Sequence, residues 1–268
     1  MSLRDKFITL HGRKPVLEAL ISGEDIAQLH ISKKATGEII QKIRKLGAEK
    51  GIKLELVTEN RIAALTRSGQ HQGVAADVRA QRMQSLSNFL SQRNGRNHKT
   101  AVLLLDGIHN PANVGMILRS ATAAGVDGII VPEKGTASVN PVAIKASAGT
   151  AFKAPILRVD TAANAVKELE VERFEIFALS SPGNNIFEAH LPERIALVLG
   201  NESSGISDDV FRFCHGTLSI PLRNKIESLT VAATAAVVSY EIARRTTLSS
   251  LRCVSKEDRL PCLQFLCL

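Results

Sequence analysis

The chain has 268 residues, of which 44% are hydrophobic and 22% charged, a composition that points to a soluble globular protein with one or two cores. No apolar run approaches the ~20 residues that cross a bilayer, and the start MSLRDKFITLHGRK lacks the apolar stretch of a secretory signal, so a cytoplasmic location without a membrane partner is expected. The net charge of +8 is unevenly placed: residues 1–100 carry 18 Lys and Arg against 9 Asp and Glu, the remainder 16 against 17. A basic front half suits a polyanion such as RNA, or is merely a soluble basic surface; the near-neutral rest suits a catalytic core.

In chain order, GRKPVLEALISG and TGEIIQKIRKLGAEKG have helical spacing, while AQLHIS, IKLELVT and GVAADV read as short buried strands. Residues 1–80 therefore form a small α/β domain. Residues 81–99 contain no acid and carry Arg82, Arg93, Arg96 and Lys99, and they are expected as a basic linker. It either tracks phosphates or is a solvated connector. From Thr100 the apolar, β-branched runs AVLLLD, GIIVP, FEIFALS and RIALVLG predict central parallel strands of a doubly wound α/β domain spanning 100–248. NVGMILRSATAAG, VNPVAIKASAGT and TAANAVKELEVE predict the crossover helices. SLTVAATAAVVSYEIARR predicts a long closing helix, apolar nearly all round and thus expected against both the sheet and a partner subunit. The tail 249–268 gives no role. It holds three of the four cysteines, Cys253, Cys262 and Cys267, which with Cys214 form no CxxC pair; reduced thiols and no metal site are expected.

Neither GxGxxG nor GxxxxGK[ST] is present, so neither a dinucleotide fold nor a phosphate-cradling loop is supported. Three polar clusters instead follow apolar strands, where open α/β sheets present ligand-binding loops. In DGIHNPANVGMILRSA, Arg119 interrupts an apolar helix and is expected to face an anion or carboxylate, with a helix-surface Arg as the alternative; Asn113 either shapes the site or caps the helix. In ALVLGNESSGIS, Glu202 either accepts hydrogen bonds from Arg119 or loop amides, or is an exposed turn acid. In LSIPLRNKIESLTVAATAA, Pro221 ends a strand and Ser228 is placed to cap the last helix.

Taken in order, these clusters resemble the three motifs of the SpoU, or TrmH-like, branch of the SPOUT RNA methyltransferases. The family's NxGxxxR stands as Asn113, Val114, Gly115 and Arg119; GxExxG as Gly200, Asn201, Glu202 and Gly205; and the third motif as IPLRNKIESLTVAA. HGRKPVLEAL and HQGVAADV look like the ends of the small RNA-binding domain, similar to a ribosomal protein, that precedes many such enzymes. The resemblance implies a deep trefoil knot in the second domain, a homodimer with the final helix at its interface, and S-adenosylmethionine as cofactor, held by Leu199, Gly200, Asn201, Ile220, Leu229 and Thr230. It implies methylation of a ribose 2′-hydroxyl in structured RNA, with guanosine in ribosomal RNA favoured over transfer RNA and no metal. Arg119 is then the catalytic candidate; because guanidinium stays protonated, orienting the RNA phosphate is its expected role, with proton relay as an alternative. Asn113, Glu202 and Ser228 would fix Arg119, the ribose and the loop. Two positions depart from the pattern: Asn224 replaces a usual Gly, which a left-handed turn tolerates, and Thr230 replaces a usual Asn with a shorter hydroxyl. The alternative reading is a knotted RNA-binding relative without turnover.

Overall fold

The computed structural model describes residues 6–66, 68–93, 99–224 and 226–252, with the side chains of 247–252 left aside. The first domain runs β1 (Phe7–His11), α1 (Arg13–Ile21), β2 (Ile26–Ser32), α2 (Glu38–Glu49), β3 (Lys53–Val57), α3 (Glu59–Thr66) and β4 (Val74–Arg79). Its four-stranded sheet has the order β1-β4-β2-β3, with β2 and β3 parallel and β4 antiparallel to both of its neighbours. α1 and α2 contribute Val16, Leu20, Ile40 and Ile43 to the main core, whereas α3 seats Ile62 against Val57 and Ala75. The two segments expected at the ends of this domain meet in space. Gln72 Oε1 accepts from Arg13 N at 3.0 Å, and Arg13 Nε donates to the Gln72 carbonyl at 3.2 Å.

One polar cluster is built into this sheet. Register places His30 opposite Glu55 and Thr9 opposite Asp77. His30 Nε2 lies 2.9 Å from Asp77 Oδ2, and Thr9 Oγ1 donates to Asp77 Oδ1 at 2.8 Å. His30 Nδ1 is 3.0 Å from Glu55 Oε2, an ion-pair approach outside hydrogen-bond geometry. The bond to Asp77 holds the His30 imidazole above its ordinary pKa despite opposing burial. Burial acts to raise the Asp77 carboxyl, but the bonds from His30 and Thr9 outweigh it and hold the group below its ordinary value.

The second sheet is parallel throughout and contains β5 (Gln84–Ser85), β6 (Thr100–Leu105), β7 (Gly128–Pro132), β8 (Ile156–Val159), β9 (Glu175–Asn185), β10 (Arg194–Leu199) and β11 (Gly216–Ser219), in the order β11-β9-β10-β6-β7-β8-β5. The four strands expected from the apolar runs are β6, β7, β9 and β10. Because side chains alternate along a strand, each strand serves two layers. Leu103 and Leu105 pack with α5 (Pro111–Ala123), α6 (Pro141–Ala146) and α9 (Val231–Arg252); Val102 and Leu104 pack with α4 (Leu86–Gln92), α7 (Ala162–Val171) and α8 (Asp208–Phe211). This is the doubly wound arrangement expected.

The stretch expected as a linker differs over residues 84–92. Gln84 and Ser85 extend the sheet beside β8, and α4 buries Leu86, Phe89 and Leu90 in the second layer. Its apolar residues are spaced 86-89-90, a helical stripe that the surrounding polar residues conceal. Arg93, expected in a basic linker, stacks on Phe89 and pairs with Asp127 at 2.8 Å. Arg96 lies outside the described residues, as do Cys253, Cys262, Cys267 and the rest of the tail beyond Arg252. Among the described residues no helix is long and apolar enough to cross a membrane, and no group of three or more His, Cys, Asp or Glu could hold a metal ion.

Candidate active site

β6 and β10 are adjacent and in register, Leu105 opposite Leu199, so the loops that follow them leave the sheet side by side. The chain goes outward from β6 to β7 and β8, then returns to β9 and β10 on the other flank; the site lies beside this reversal, at the carboxyl ends of the strands.

The loop after β10 is fixed from several directions. Asn201 N donates to the Gly205 carbonyl at 2.8 Å and Gly205 N returns a bond at 2.9 Å. Asn201 Oδ1 accepts from Ser203 N and Ser204 N, while its Nδ2 donates to the Gly107 carbonyl at 2.7 Å. Ser207 N donates to Asp106 Oδ2 at 2.7 Å. Gly200 is required by this closure, since a Cβ there would meet the Gly205 backbone at 2.5 Å.

Glu202 is the hinge between the three motifs. Its Oε1 accepts from buried Asn113 Nδ2 on α5 at 3.1 Å and from Val231 N at the start of α9 at 3.2 Å. Gly115 is needed on the same helix because α5 and α6 touch there: a Cβ would stand 2.1 Å from the Ala143 carbonyl oxygen. Thr230 Oγ1 accepts from Ala233 N at 3.3 Å and caps α9.

A cavity of about 740 Å³ opens above β9, β10 and β11, within the usual size range of a small-molecule site. All six residues expected to hold the cofactor line it, Leu199, Gly200, Asn201, Ile220, Leu229 and Thr230, together with Glu202 and Ser228. Leu179, Leu218 and Leu222 add apolar wall. Sequence reasoning missed Leu179, Ser180 and Ser181 at β9, and Asp106 as the anchor of the neighbouring loop. A carboxylate ending a run of buried residues was the available signal for Asp106.

Three expectations need correction. Ser228 does not cap α9: the helix starts at Val231, so the capping position falls two residues later, on Thr230, and Ser228 stands exposed at the cavity. Glu202 makes no ion pair with Arg119 among the described residues; of the partners expected it has a backbone amide, Val231 N, together with Asn113 Nδ2. Arg119 is exposed on α5, has no ion-pair partner among the described residues and is not among the cavity-lining residues. The structure thus joins Asn113 and Glu202 and leaves Arg119 apart from them. Asn224 adopts φ +59°, the left-handed turn that its replacement of Gly demands. Cys214, packed against the cluster that holds Val210, has its thiol pushed up to about 11 by burial, with the nearby Asp106 charge adding to it.

Comparison with known proteins places this geometry in a family. Residues 100–240 match the SpoU rRNA Methylase family, and residues 9–84 match the domain described as RNA 2′-O ribose methyltransferase substrate binding. A Staphylococcus saprophyticus protein named for the TrmH family of tRNA/rRNA methyltransferases is 31% identical over 241 residues, 89% of this chain and 96% of the relative. A Staphylococcus aureus relative of the same name is 31% identical over 237 residues, 87% and 94% of the two chains. In fold, the chain is similar to the SpoU methyltransferase AviRb of Streptomyces viridochromogenes, solved with AdoMet, at a TM-score of 0.61 and 23% identity over 91% and 92% of the chains. A TrmH-family structure from Porphyromonas gingivalis gives 0.59 and 24% over the same shares. The chain belongs to the SpoU family of RNA methyltransferases, with the family's substrate-binding domain ahead of its methylase domain.

Proposed function

We propose that this protein transfers a methyl group from S-adenosylmethionine to a ribose 2′-hydroxyl of structured RNA, with ribosomal RNA favoured over transfer RNA and guanosine as the favoured nucleoside. The observation that carries this reading is that one cavity is bounded by Leu199, Gly200, Asn201, Ile220, Leu229 and Thr230 together, with Glu202 and Ser228 at the same wall. The residues present fit the cofactor. The apolar side chains of Leu199, Ile220 and Leu229 suit an adenine ring, and AviRb, of the same fold, was solved with AdoMet. When bound, the sulfonium supplies an activated methyl and a good leaving group.

The chain's own residues do the rest. Glu202, bonded to Asn113 and Val231, holds the two helices at a fixed separation around the cavity. Exposed Ser228 is free to bond the ribose, and Arg119 binds and orients an RNA phosphate, holding its proton throughout. Arg119 follows exposed Met116 by one turn of α5, and α5 packs on α9, where Tyr240 is also exposed. Exposed Met116 and Tyr240 support a homodimer with α9 at its interface. The trefoil knot belongs to the same proposal; the close tie of the 200–207 loop to α5 and α9 is consistent with it.

The test is methyl transfer from labelled S-adenosylmethionine to unmodified ribosomal and transfer RNA pools, read by nucleoside mass spectrometry. A 2′-O-methylguanosine in ribosomal RNA is expected. Cofactor and RNA binding without transfer refutes the catalytic reading; a monomer at micromolar concentration refutes the dimer.

A further inference from the structure

A second hollow, of about 490 Å³, lies at the junction of the two domains and shares no lining residue with the cavity above β9, β10 and β11. Its wall comes from the start of β1, the α1–β2 connection, the end of β4, the β4–β5 connection and α4, with Lys6, Phe7, Arg79, Arg82, Gln84 and Asn88 among the lining residues. Lys6 and Arg82 are exposed and make no ion pair among the described residues. Arg79 approaches Asp25 at 3.8 Å with both side chains well exposed, a pairing that leaves its guanidinium open to a stronger anion. Phe7 is partly exposed in the wall. Asn88 Nδ2 donates to Gln84 Oε1, which leaves the Asn88 carbonyl oxygen and the Gln84 amino group to offer one acceptor and one donor.

We propose that this groove is a second RNA site, holding an unpaired nucleotide segment of the substrate away from the methylated ribose. Cations for backbone phosphate, an aromatic ring for stacking and an amide pair for a base edge are the three elements by which single strands are held. The proposal rests on the RNA reading above and extends it. Its position sets a distance. β5 stands four strands from β10 in the sheet, on the order of 20 Å at ~4.8 Å per strand. At ~3.4 Å per stacked nucleotide, a strand reaching from groove to cavity spans about six nucleotides. The connection leaving the first domain is tied to the second beside this groove, where Gln81 N donates to the Phe152 carbonyl at 3.0 Å.

The test uses the full chain, a Lys6→Ala/Arg82→Ala double variant and a Phe7→Leu variant, with ribosomal RNA binding measured across a salt series. The double variant is expected to bind about tenfold more weakly, with the slope of log affinity against log salt reduced by about 1.4, or ~0.7 for each phosphate left without its cation. Phe7→Leu keeps the apolar packing but loses the ring, and is expected to weaken binding about fivefold with the slope unchanged. In both, cofactor affinity holds and the loss falls on KM for RNA. Wild-type affinity and slope in both variants would overturn the proposal and leave the groove to an acidic protein segment. Failure of the unaltered chain to bind RNA would overturn the RNA reading itself, whereas methylation by all three proteins with equal KM would overturn the groove alone.

Discussion

Replacing Glu202 separates the geometry of its contacts from its charge. Both bonds, from Asn113 Nδ2 and from Val231 N, end on the same oxygen. A glutamine can place its carbonyl oxygen there and keep both, whereas alanine loses both and leaves a buried Asn113 amide unsatisfied. Hydrogen bonds to a charged group contribute ~1.5–3 kcal/mol each, and the two together set an upper bound of about 6 kcal/mol. Glu202 is exposed, so water competes, and Glu202→Ala should cost about 2–3 kcal/mol. Neutral bonds are about half as strong as charge-assisted ones, so Glu202→Gln should cost about 1 kcal/mol. At ~2–4 °C per kcal/mol for a chain of this size, the melting temperature falls by roughly 4–12 °C for alanine and 2–4 °C for glutamine. Calorimetric titration with S-adenosylmethionine gives the second reading: weakened binding for alanine, near-unaltered binding for glutamine. Equal losses in the two variants would refute the two-bond geometry and assign the role to charge; no loss in alanine would refute the bridge altogether.

Gly115→Ala gains ~1 kcal/mol of helix propensity but drives a methyl into the Ala143 carbonyl at 2.1 Å, so denaturant unfolding should show a net loss of about 2 kcal/mol. Thr230→Ala removes the cap of α9 and should cost ~1 kcal/mol in the same assay, whereas Thr230→Asn keeps the cap and full methyl transfer. At Asn224, φ +59° makes alanine unfavourable by ~1 kcal/mol and glycine neutral, read as a fewfold change in cofactor affinity for alanine only. His30 is held above its ordinary 6.5, so its contribution is complete below pH 6.5 and fades as pH rises through the folded value. Asp77, held below its ordinary 3.8, contributes above that pH and loses its contribution on acidification. The stability difference between the unaltered chain and His30→Gln should therefore be larger at pH 5.5 than at pH 8.5 in urea unfolding; a pH-independent difference would contradict the network.

The parallel core was legible because strands buried on both faces leave continuous apolar runs, as in AVLLLD and RIALVLG. α4 was hidden because only three of its residues are buried, within a polar, basic stretch. β8 is four residues long with Arg158 in its middle, and too short to carry a period. The cavity residues were legible only through resemblance to a family, because they contribute apolar surface and backbone groups and little distinctive side-chain chemistry. The partner of Glu202 was not legible: Asn113 and Arg119 lie six positions apart on one helix, and only the packing of α5 decides which faces the loop. The φ of Asn224 was legible, since few other residues accept it.

The placement of β5 and α4 has a consequence for how this chain can be divided. A fragment beginning at Thr100 would contain every residue of the cavity and yet strip an edge strand from β8 and uncover the apolar surface that Leu86, Phe89 and Leu90 occupy beside Leu157 and Val166. The methylase half thus carries its own cover on the chain ahead of it. Grafting it onto another RNA-binding module would require the cut near Met83, and a junction placed at the family domain's edge at residue 100 would leave the edge of β8 and the apolar surface beneath α4 open to aggregation.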